Sequence, residues 1–221
     1  MWPAANGKIA VRRLRSGADT AAAKTARAGL LAPELHRCSV AIVGVGALGS
    51  FIADMLARSG VRHLTLVDGD VVMPGNLVRH VVGPEAVGLS KARAVKQHLV
   101  TRYETSVIDV GKELTAGAEA VELLSNHDLV VDATADFAIT ALLHVAAQML
   151  AKRIVSATIQ NDGMSYRIDL LPPLDGSEPL PPSGVDAGRR LTDFFEAGCG
   201  SPISPTPPYV VMEAAAVAVR H

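Results

Sequence analysis

Cysteine is scarce in this 221-residue chain, and Cys38 and Cys199 are the only two. Two thiols are too few for a disulfide framework or a four-cysteine zinc site, so we expect no zinc. The longest apolar runs fall well short of the ~20 residues that a membrane-spanning helix needs. A formal net charge of −1 excludes a strongly basic nucleic-acid-binding protein. Hydrophobic residues make up 49% of the chain, which excludes a wholly disordered protein and leaves a globular one, expected in the cytoplasm.

The first 37 residues are basic, with seven lysines and arginines against Asp19 and Glu34. We interpret residues 1–37 as an N-terminal basic helical segment. Its helix is predicted from Ala18 to Leu31, because Asp19 lies near the start and Pro33 beyond the end. An arginine- and alanine-rich, acid-poor start is also typical of an organelle transit peptide, which stays an alternative.

Between residues 38 and 171, strand patterns alternate with helix patterns, as in an α/β domain with a parallel sheet. Short β-branched runs predict five strands, helical spacing predicts the helices between them, and an extended segment follows. The predicted strands are 39–43, 63–67, 106–110, 128–132 and 153–159, the helices are 50–58, 90–103, 116–124 and 139–150, and the extended segment is 164–171. We therefore predict a Rossmann-like, doubly wound, mostly parallel sheet.

The composition changes between residues 172 and 208, which hold nine of the thirteen prolines. So long a stretch with little regular structure is uncommon in a compact domain and is usually functional or disordered. Cys199 lies within it, between Gly198 and Gly200. Residues 209–221 then predict an Ala/Val-rich C-terminal helix, which is apolar on nearly all sides and needs a surface to cover it.

A glycine-rich run, Gly44-Val45-Gly46-Ala47-Leu48-Gly49, follows the first strand and opens a helix. Its three glycines permit a tight turn and a close backbone approach, so that helix N–H groups can face phosphate oxygens. Asp68 ends the next strand, where its carboxylate can accept hydrogen bonds from ribose hydroxyls. This pattern predicts a nucleotide-binding site but does not by itself distinguish NAD from ATP.

Three further side chains favour a triphosphate over a dinucleotide. Asn76, Arg79 and Lys91 come after the segment Asp68-Gly69-Asp70. They would supply a neutral amide donor, a planar guanidinium group and a compact ammonium charge, respectively. A dinucleotide needs little beyond the glycine turn, whereas a triphosphate needs such cations and donors. The chain has no Gly-x-x-x-x-Gly-Lys-Ser/Thr loop, which argues against the usual machinery of γ-phosphate transfer.

Four features of the chain are the run Gly44–Gly49, the segment Val67–Asp70, the motif Asn76-Leu77-x-Arg79 and Lys91. Together they resemble the ubiquitin-activating-enzyme-like adenylation domain, the ThiF/MoeB/HesA family. The resemblance covers residues 37 to 160 well and the proline-rich remainder loosely. Members of that family use Mg-ATP to adenylate the C-terminal carboxylate of a ubiquitin-like or sulfur-carrier protein. The resemblance implies that the glycine run approaches the α-phosphate and that Asp68 holds the ribose. It also implies that Asn76, Arg79 and Lys91 bind the phosphates and stabilise charge as the α–β bond breaks.

The chain departs from the family pattern at its expected magnesium ligand. The family's aspartate usually lies three residues after the aspartate that ends the fourth strand, but Ala135 stands there and Asp136 follows. We expect Asp136 to ligate Mg²⁺, with a helix N-cap as its alternative role. A second departure is His80, which stands where a glutamine commonly follows the family's arginine.

The resemblance also implies partners. Family dimers often place an N-terminal arginine in the partner's ATP site, so we expect a homodimer, with Arg12, Arg13 and Arg15 as candidates. Many members carry an acceptor cysteine in a crossover loop, so we predict that Cys199 forms a thioester for a conjugating enzyme. Its alternative is an incidental loop cysteine. Larger members continue with more sheet, so we expect either a shortened chain or a compact member whose last helix packs in a dimer.

Three other functions stay open. The protein could adenylate a peptide or a tRNA base without forming a thioester. With its altered Asp136, it could instead be a non-catalytic subunit that only binds a partner. An NAD-dependent oxidoreductase is the third alternative, although no acid–base residue is convincingly placed for hydride transfer.

Overall fold

Six strands form one sheet in the computed structural model, which describes residues 16–18, 20, 23, 26–174 and 205–221. In chain order the strands are β1 (Ser39–Val43), β2 (His63–Val67), β3 (Ser106–Val110), β4 (Leu129–Asp132), β5 (Ile154–Gln160) and β6 (Ser165–Leu171). Their order across the sheet is β3-β2-β1-β4-β5-β6. The first five are parallel, and β6 is antiparallel to β5. The predicted mostly parallel, doubly wound sheet is confirmed.

Helices cover both faces of this sheet. They are α1 (Ala32–Leu35), α2 (Ala47–Ser59), α3 (Lys91–Val100), α4 (Gly117–Asn126), α5 (Phe137–Met149) and α6 (Pro208–Arg220). The predicted elements of the sheet domain are confirmed, with ends displaced by up to three residues. None of the described helices is both long enough and apolar enough to cross a membrane.

Two groups of buried residues fill the two faces, because successive strand residues point to opposite sides. On one side, Val40 and Ile42 of β1 belong to a core shared with α2, α3 and α6. On the other side, Ala41 and Val43 belong to a core shared with α4 and α5. Helix α6 also packs against β5 and β6, which supplies the cover that its apolar sequence requires.

The predicted N-terminal helix is wrong over its last residues, because residues 26–31 form turns and bends rather than a helix. Gly29 has φ +107°, a left-handed conformation that an α-helix does not contain. The helical turn comes later, as α1, and Pro33 lies in its first turn instead of beyond its end. The earlier part of that predicted helix lies largely outside the described residues.

A buried carboxylate links α2 to α3. Asp54 accepts hydrogen bonds from Arg58 Nε at 2.6 Å, Tyr103 Oη at 2.8 Å and His98 Nε2 at 3.1 Å. Its side chain is only 7% exposed. Burial alone would raise the pKa of Asp54, but these three hydrogen bonds outweigh burial and lower the pKa to about 2. Asp54 therefore stabilises the fold as a carboxylate.

We predict that Asp54→Asn lowers the free energy of unfolding at pH 7 by about 2–4 kcal/mol, because it removes a buried, multiply bonded charge. The matched control is Asp109→Asn, which removes the partner of Lys96 at a more exposed site and should cost under about 1 kcal/mol. Because the pKa is lowered on folding, the Asp54 contribution is fully present above pH 3.8 and is lost as the pH falls toward about 2. Urea unfolding at several pH values measures both effects, and equal costs for the two variants would contradict the prediction.

Candidate functional site

A cleft opens at the carboxyl ends of the parallel strands. The chain runs outward from β1 to β3 and returns on the other side of β1 as β4, and ligands bind in such sheets at this reversal. The cleft has a volume of about 330 Å³. Its lining consists of Val43, Gly44, Gly46, Val67, Asp68, Gly69, Asp70, Lys91, Glu113, Leu114, Ala133, Thr134, Asp136 and Ile139.

The cleft brings together six of the residues predicted from the sequence. The predicted residues in its lining are Gly44, Gly46, Asp68, Asp70, Lys91 and Asp136. Gly49, Asn76 and Arg79 are not part of that lining. Cys199, Arg12, Arg13 and Arg15 lie outside the described residues.

Glycine is favoured at each of the three positions of the turn for a different structural reason. Gly44 has φ +81°, and a Cβ on it would lie 2.9 Å from the backbone of Ala133. A Cβ on Gly49 would lie 1.8 Å from the carbonyl oxygen of Gly44, so Gly49 serves the packing of the turn. A Cβ on Gly46 would meet no atom within 4 Å, although Gly46 lines the cleft and caps the amino end of α2. Gly46 has φ −71° and ψ −144°, outside the main regions allowed for residues with a Cβ, so its backbone conformation favours glycine. The space beside it is open to a ligand.

Asp68 is held beside this turn by two backbone groups. The N–H of Val45 donates to Asp68 Oδ2 at 2.8 Å, and the N–H of Asp70 donates to Oδ1 at 2.8 Å. Burial raises the pKa of Asp68 above its ordinary value, while these hydrogen bonds and the charge of Lys91 oppose that rise. Each carboxylate oxygen retains a further lone pair, so Asp68 can still accept hydrogen bonds from ribose hydroxyls.

Lys91 brings a positive charge into the cleft. Its Nζ lies 2.7 Å from Asp70 Oδ2, and its backbone N–H donates to the Asp70 carbonyl at 2.9 Å. The lysine side chain is 14% exposed and the aspartate side chain 66%. The position of the ammonium is therefore fixed by a partner that itself faces solvent.

Asn76 and Arg79 lie together on a 3-10 helix, Pro74–Arg79, that follows β2. The side-chain oxygen of Asn76 accepts a hydrogen bond from the Met73 N–H at 3.0 Å and thereby holds the start of this helix. Its amide N–H donors are the atoms of Asn76 suited to a phosphate. Arg79 is partly exposed at the end of the same helix.

His80 comes directly after this helix and is buried. Its Nε2 lies 2.9 Å from the carbonyl oxygen of Val45, and its Nδ1 accepts the Val82 N–H at 3.4 Å. Burial lowers the pKa of His80 to about 4, although the hydrogen bond to Val45 opposes this. The ring is therefore neutral at pH 7, and these partners assign its proton to Nε2.

Asp136 is the N-cap of α5, which is the alternative role that the sequence indicated for it. Its Oδ1 accepts the N–H groups of Ala138 at 2.7 Å and Ile139 at 3.2 Å. Its Oδ2 makes no hydrogen bond within the described part of the chain. Asp136 itself lines the cleft. Ala135, just before it, has φ +57°, a conformation that disfavours alanine and suits glycine, asparagine or aspartate.

Asp132, which sequence reasoning did not assign to the site, anchors the loop that carries Asp136. It is fully buried and accepts hydrogen bonds from Thr134 Oγ1 at 2.7 Å, Ser156 Oγ at 3.1 Å and the hydroxyl of Thr140. These bonds join β4, β5 and α5 at the floor of the cleft. The described residues contain no cluster of three or more His, Cys, Asp or Glu side chains placed to hold a metal ion among themselves.

Sequence reasoning also missed Glu113 and Leu114, which line the cleft from the loop after β3. Both follow the carboxyl end of a parallel strand, as Asp68 does, and that rule could have identified them. A larger groove, of about 530 Å³, adjoins the cleft and shares Val67, Glu113 and Leu114 with it. The cleft therefore has an apolar continuation along β2 and β3.

Comparison with known proteins identifies relatives. The family model described as "ThiF family" matches residues 23–179. The chain is 32% identical over 167 residues to the probable adenylyltransferase/sulfurtransferase MoeZ of Mycobacterium tuberculosis. That match covers 68% of this chain and 41% of MoeZ. It is 35% identical over 126 residues to the adenylyltransferase and sulfurtransferase MOCS3 of Anopheles gambiae, covering 57% of this chain and 29% of MOCS3. The chain thus spans less than half the length of these relatives.

Solved structures share the fold. The Escherichia coli protein MccB with ATP superposes with a TM-score of 0.65 at 19% identity, covering 86% of this chain and 56% of MccB. E. coli tRNA N6-threonylcarbamoyladenosine dehydratase, TcdA, in complex with ATP, gives a TM-score of 0.59 at 21% identity, covering 67% of this chain and 69% of TcdA. The family match spans more than half of the chain, and the sheet and glycine turn agree with it. This chain belongs to the ThiF family.

Proposed function

We propose that this protein uses ATP to adenylate the C-terminal carboxylate of a ubiquitin-like or sulfur-carrier protein. The observation that carries the proposal is Lys91, a lysine with little exposed surface whose ammonium lies in a cleft beside a glycine turn. The lining also carries the carboxylates of Asp68, Asp70, Glu113 and Asp136, so Lys91 would bind a triphosphate together with a divalent cation. MoeZ and MOCS3 are both named as adenylyltransferases, which supports the transfer of an adenylyl group.

The cleft supplies each part of a nucleotide site. The amino end of α2, capped by Gly46, presents N–H groups and a positive dipole end to the α-phosphate. Asp68 would accept hydrogen bonds from the ribose. The apolar surface of Val67 and Leu114, where the cleft meets the groove, suits the flat and weakly polar adenine ring. Arg79 and the amide of Asn76, on the neighbouring 3-10 helix, would reach the outer phosphates once ATP is bound.

In the proposed reaction, a carboxylate oxygen of the carrier's C-terminus attacks the α-phosphorus and the bond to the bridging oxygen of pyrophosphate breaks. The products are an acyl adenylate and pyrophosphate. No proton needs to be removed from an ionised carboxylate, so the protein contributes positioning and neutralisation of charge. Lys91 and Arg79 are the side chains that would stabilise the charge on the departing pyrophosphate.

The residues present fit a magnesium ion bound together with ATP. Mg²⁺ is commonly held by one or two carboxylates, with phosphate oxygens and waters completing its shell. Oδ2 of Asp136 offers such a carboxylate oxygen in the lining of the cleft. When bound, the ion would neutralise phosphate charge.

Cys199 is proposed as the acceptor of the acyl group. Its thiolate would attack the carbonyl carbon of the acyl adenylate, AMP would leave, and a thioester would form for transfer to a conjugating enzyme. The thiol proton would pass to water. A homodimer is the proposed assembly, and exposed apolar side chains on α5, Phe137, Val145 and Met149, support it.

The proposal is tested first by calorimetric binding of Mg-ATP, NAD and NADH. We expect Mg-ATP to bind, and we expect Lys91→Ala to weaken it by about 10- to 100-fold, because a charge-assisted contact is lost. Lys96→Ala is the matched control, since Lys96 lies on the same helix and pairs with Asp109 away from the cleft. Binding of NAD without Mg-ATP would favour an oxidoreductase, and Mg-ATP affinity insensitive to Lys91 would contradict the proposed site.

A second prediction separates ligand binding from folding within the glycine turn. Gly46→Ala should raise the Kd for Mg-ATP by at least about tenfold, because the methyl group would occupy the open space beside the turn. It should destabilise the fold less than Gly49→Ala does, since its Cβ meets no protein atom within 4 Å. Gly49→Ala should instead lower the thermal unfolding temperature sharply, since its Cβ would lie 1.8 Å from the Gly44 oxygen. Unchanged affinity in a folded Gly46→Ala protein would show that nothing approaches the turn.

A third prediction concerns the thioester. Cys199→Ala should leave the release of pyrophosphate intact and abolish any adduct that a thiol reagent cleaves. Cys38→Ala is the control, because Cys38 is half-buried and its Sγ lies 3.6 Å from the Glu34 carbonyl oxygen. Mass spectrometry of the intact protein after incubation with ATP and a carrier detects the adduct. A thiol-cleavable adduct that persists without Cys199 would exclude this residue as the acceptor. Release of pyrophosphate with no such adduct in the unsubstituted protein would favour the alternative of adenylation without a thioester.

A further inference from the structure

The contact between His80 and the glycine turn joins two segments far apart in the sequence. His80 is 6% exposed, and its Nε2–H donates to the Val45 carbonyl at 2.9 Å. Val45 is the residue between Gly44 and Gly46, and its own N–H donates to Asp68. Both peptide groups that flank Val45 are therefore held, one by Asp68 and the other by His80.

The planarity of the peptide bond gives this contact a consequence at Gly46. The carbonyl of Val45 and the N–H of Gly46 belong to one planar trans peptide, so the two groups point in opposite directions. His80 holds that carbonyl toward the protein interior. The Gly46 N–H therefore points away from His80. Gly46 itself lines the cleft, and the space beside it is open.

We propose that His80 is a positioning residue that holds the Val45–Gly46 peptide in the orientation that binds phosphate. This inference rests on the proposed binding of Mg-ATP. The ring is suited to the task because Val82 holds Nδ1 with its N–H, which leaves Nε2 as the donor toward Val45. His80 also follows Arg79 directly, so the same contact ties the 3-10 helix that carries Asn76 and Arg79 to the glycine turn.

Two polar substitutions test the reach of the donor. A glutamine side chain places its amide N–H₂ about as far from the backbone as Nε2, whereas an asparagine reaches only about as far as Nδ1. We expect His80→Gln to keep the Kd for Mg-ATP within about threefold of the unsubstituted protein and His80→Asn to raise it by about tenfold, the equivalent of one lost hydrogen bond. Calorimetry gives the affinities, and thermal unfolding of the same samples reports on the fold.

His127→Asn is the matched control. His127 also makes hydrogen bonds at both ring nitrogens, to the Leu123 carbonyl at 2.7 Å and to Thr65 Oγ1 at 2.8 Å. It precedes β4, at the amino edge of the sheet, where it lines the groove but not the cleft. Its substitution should lower the unfolding temperature without changing the affinity for Mg-ATP.

The outcomes separate this inference from the proposed function. An unsubstituted protein that does not bind Mg-ATP would overturn the proposed function. Binding that is equally strong in His80→Asn and the unsubstituted protein, or equally weak in His80→Gln and His80→Asn, would overturn the role of His80. If His80→Asn does not fold, His80→Met replaces it, because methionine fills a buried site without a donor. The same affinity change is then expected, and its absence would overturn the role.

Discussion

The close approach of Gly49 to the carbonyl oxygen of Gly44 is the constraint on which the cleft depends. A single methyl group at Gly49 would lie 1.8 Å from that oxygen. Because only the three-residue turn Gly44–Gly46 separates β1 from α2, the amino end of the helix lies at the carboxyl edge of the sheet. Gly44 in turn approaches the loop after β4 within a distance that no side chain would allow. The cleft is thus built from backbone contacts that only glycine permits.

Buried polar groups then fix the loops around this turn. Asp68 binds the N–H groups of Val45 and Asp70, His80 binds the Val45 carbonyl, and Asp132 holds the loop after β4 through three hydroxyl groups. Each of these side chains lies beneath the cleft or at its edge. A site whose backbone donors are held before the ligand arrives loses less entropy on binding, so this arrangement suits a phosphate-binding site.

The fold could be predicted from the sequence because short β-branched runs and helical spacing alternate regularly from Ser39 to Leu171. The cleft could be predicted in part, because Asp68, Asp70 and Lys91 belong to a local motif. The roles of His80 and Asp132 could not be found in the same way, since they arise from contacts between segments distant in the chain. The predicted N-terminal helix was wrong over residues 26–31 because its spacing carried no information about the left-handed conformation at Gly29.

Membership in the ThiF family and the glycine turn beside Lys91 both point to chemistry at an α-phosphate. The measurement that tests this most directly is the exchange of labelled pyrophosphate into ATP, with purified ubiquitin-like and sulfur-carrier proteins that end in a free or an amidated carboxylate. Our account predicts exchange with a free carboxylate and none with the amidated form, because the carboxylate is the nucleophile that releases pyrophosphate reversibly. Exchange that ignores amidation, or conversion of ATP to ADP and phosphate, would contradict it.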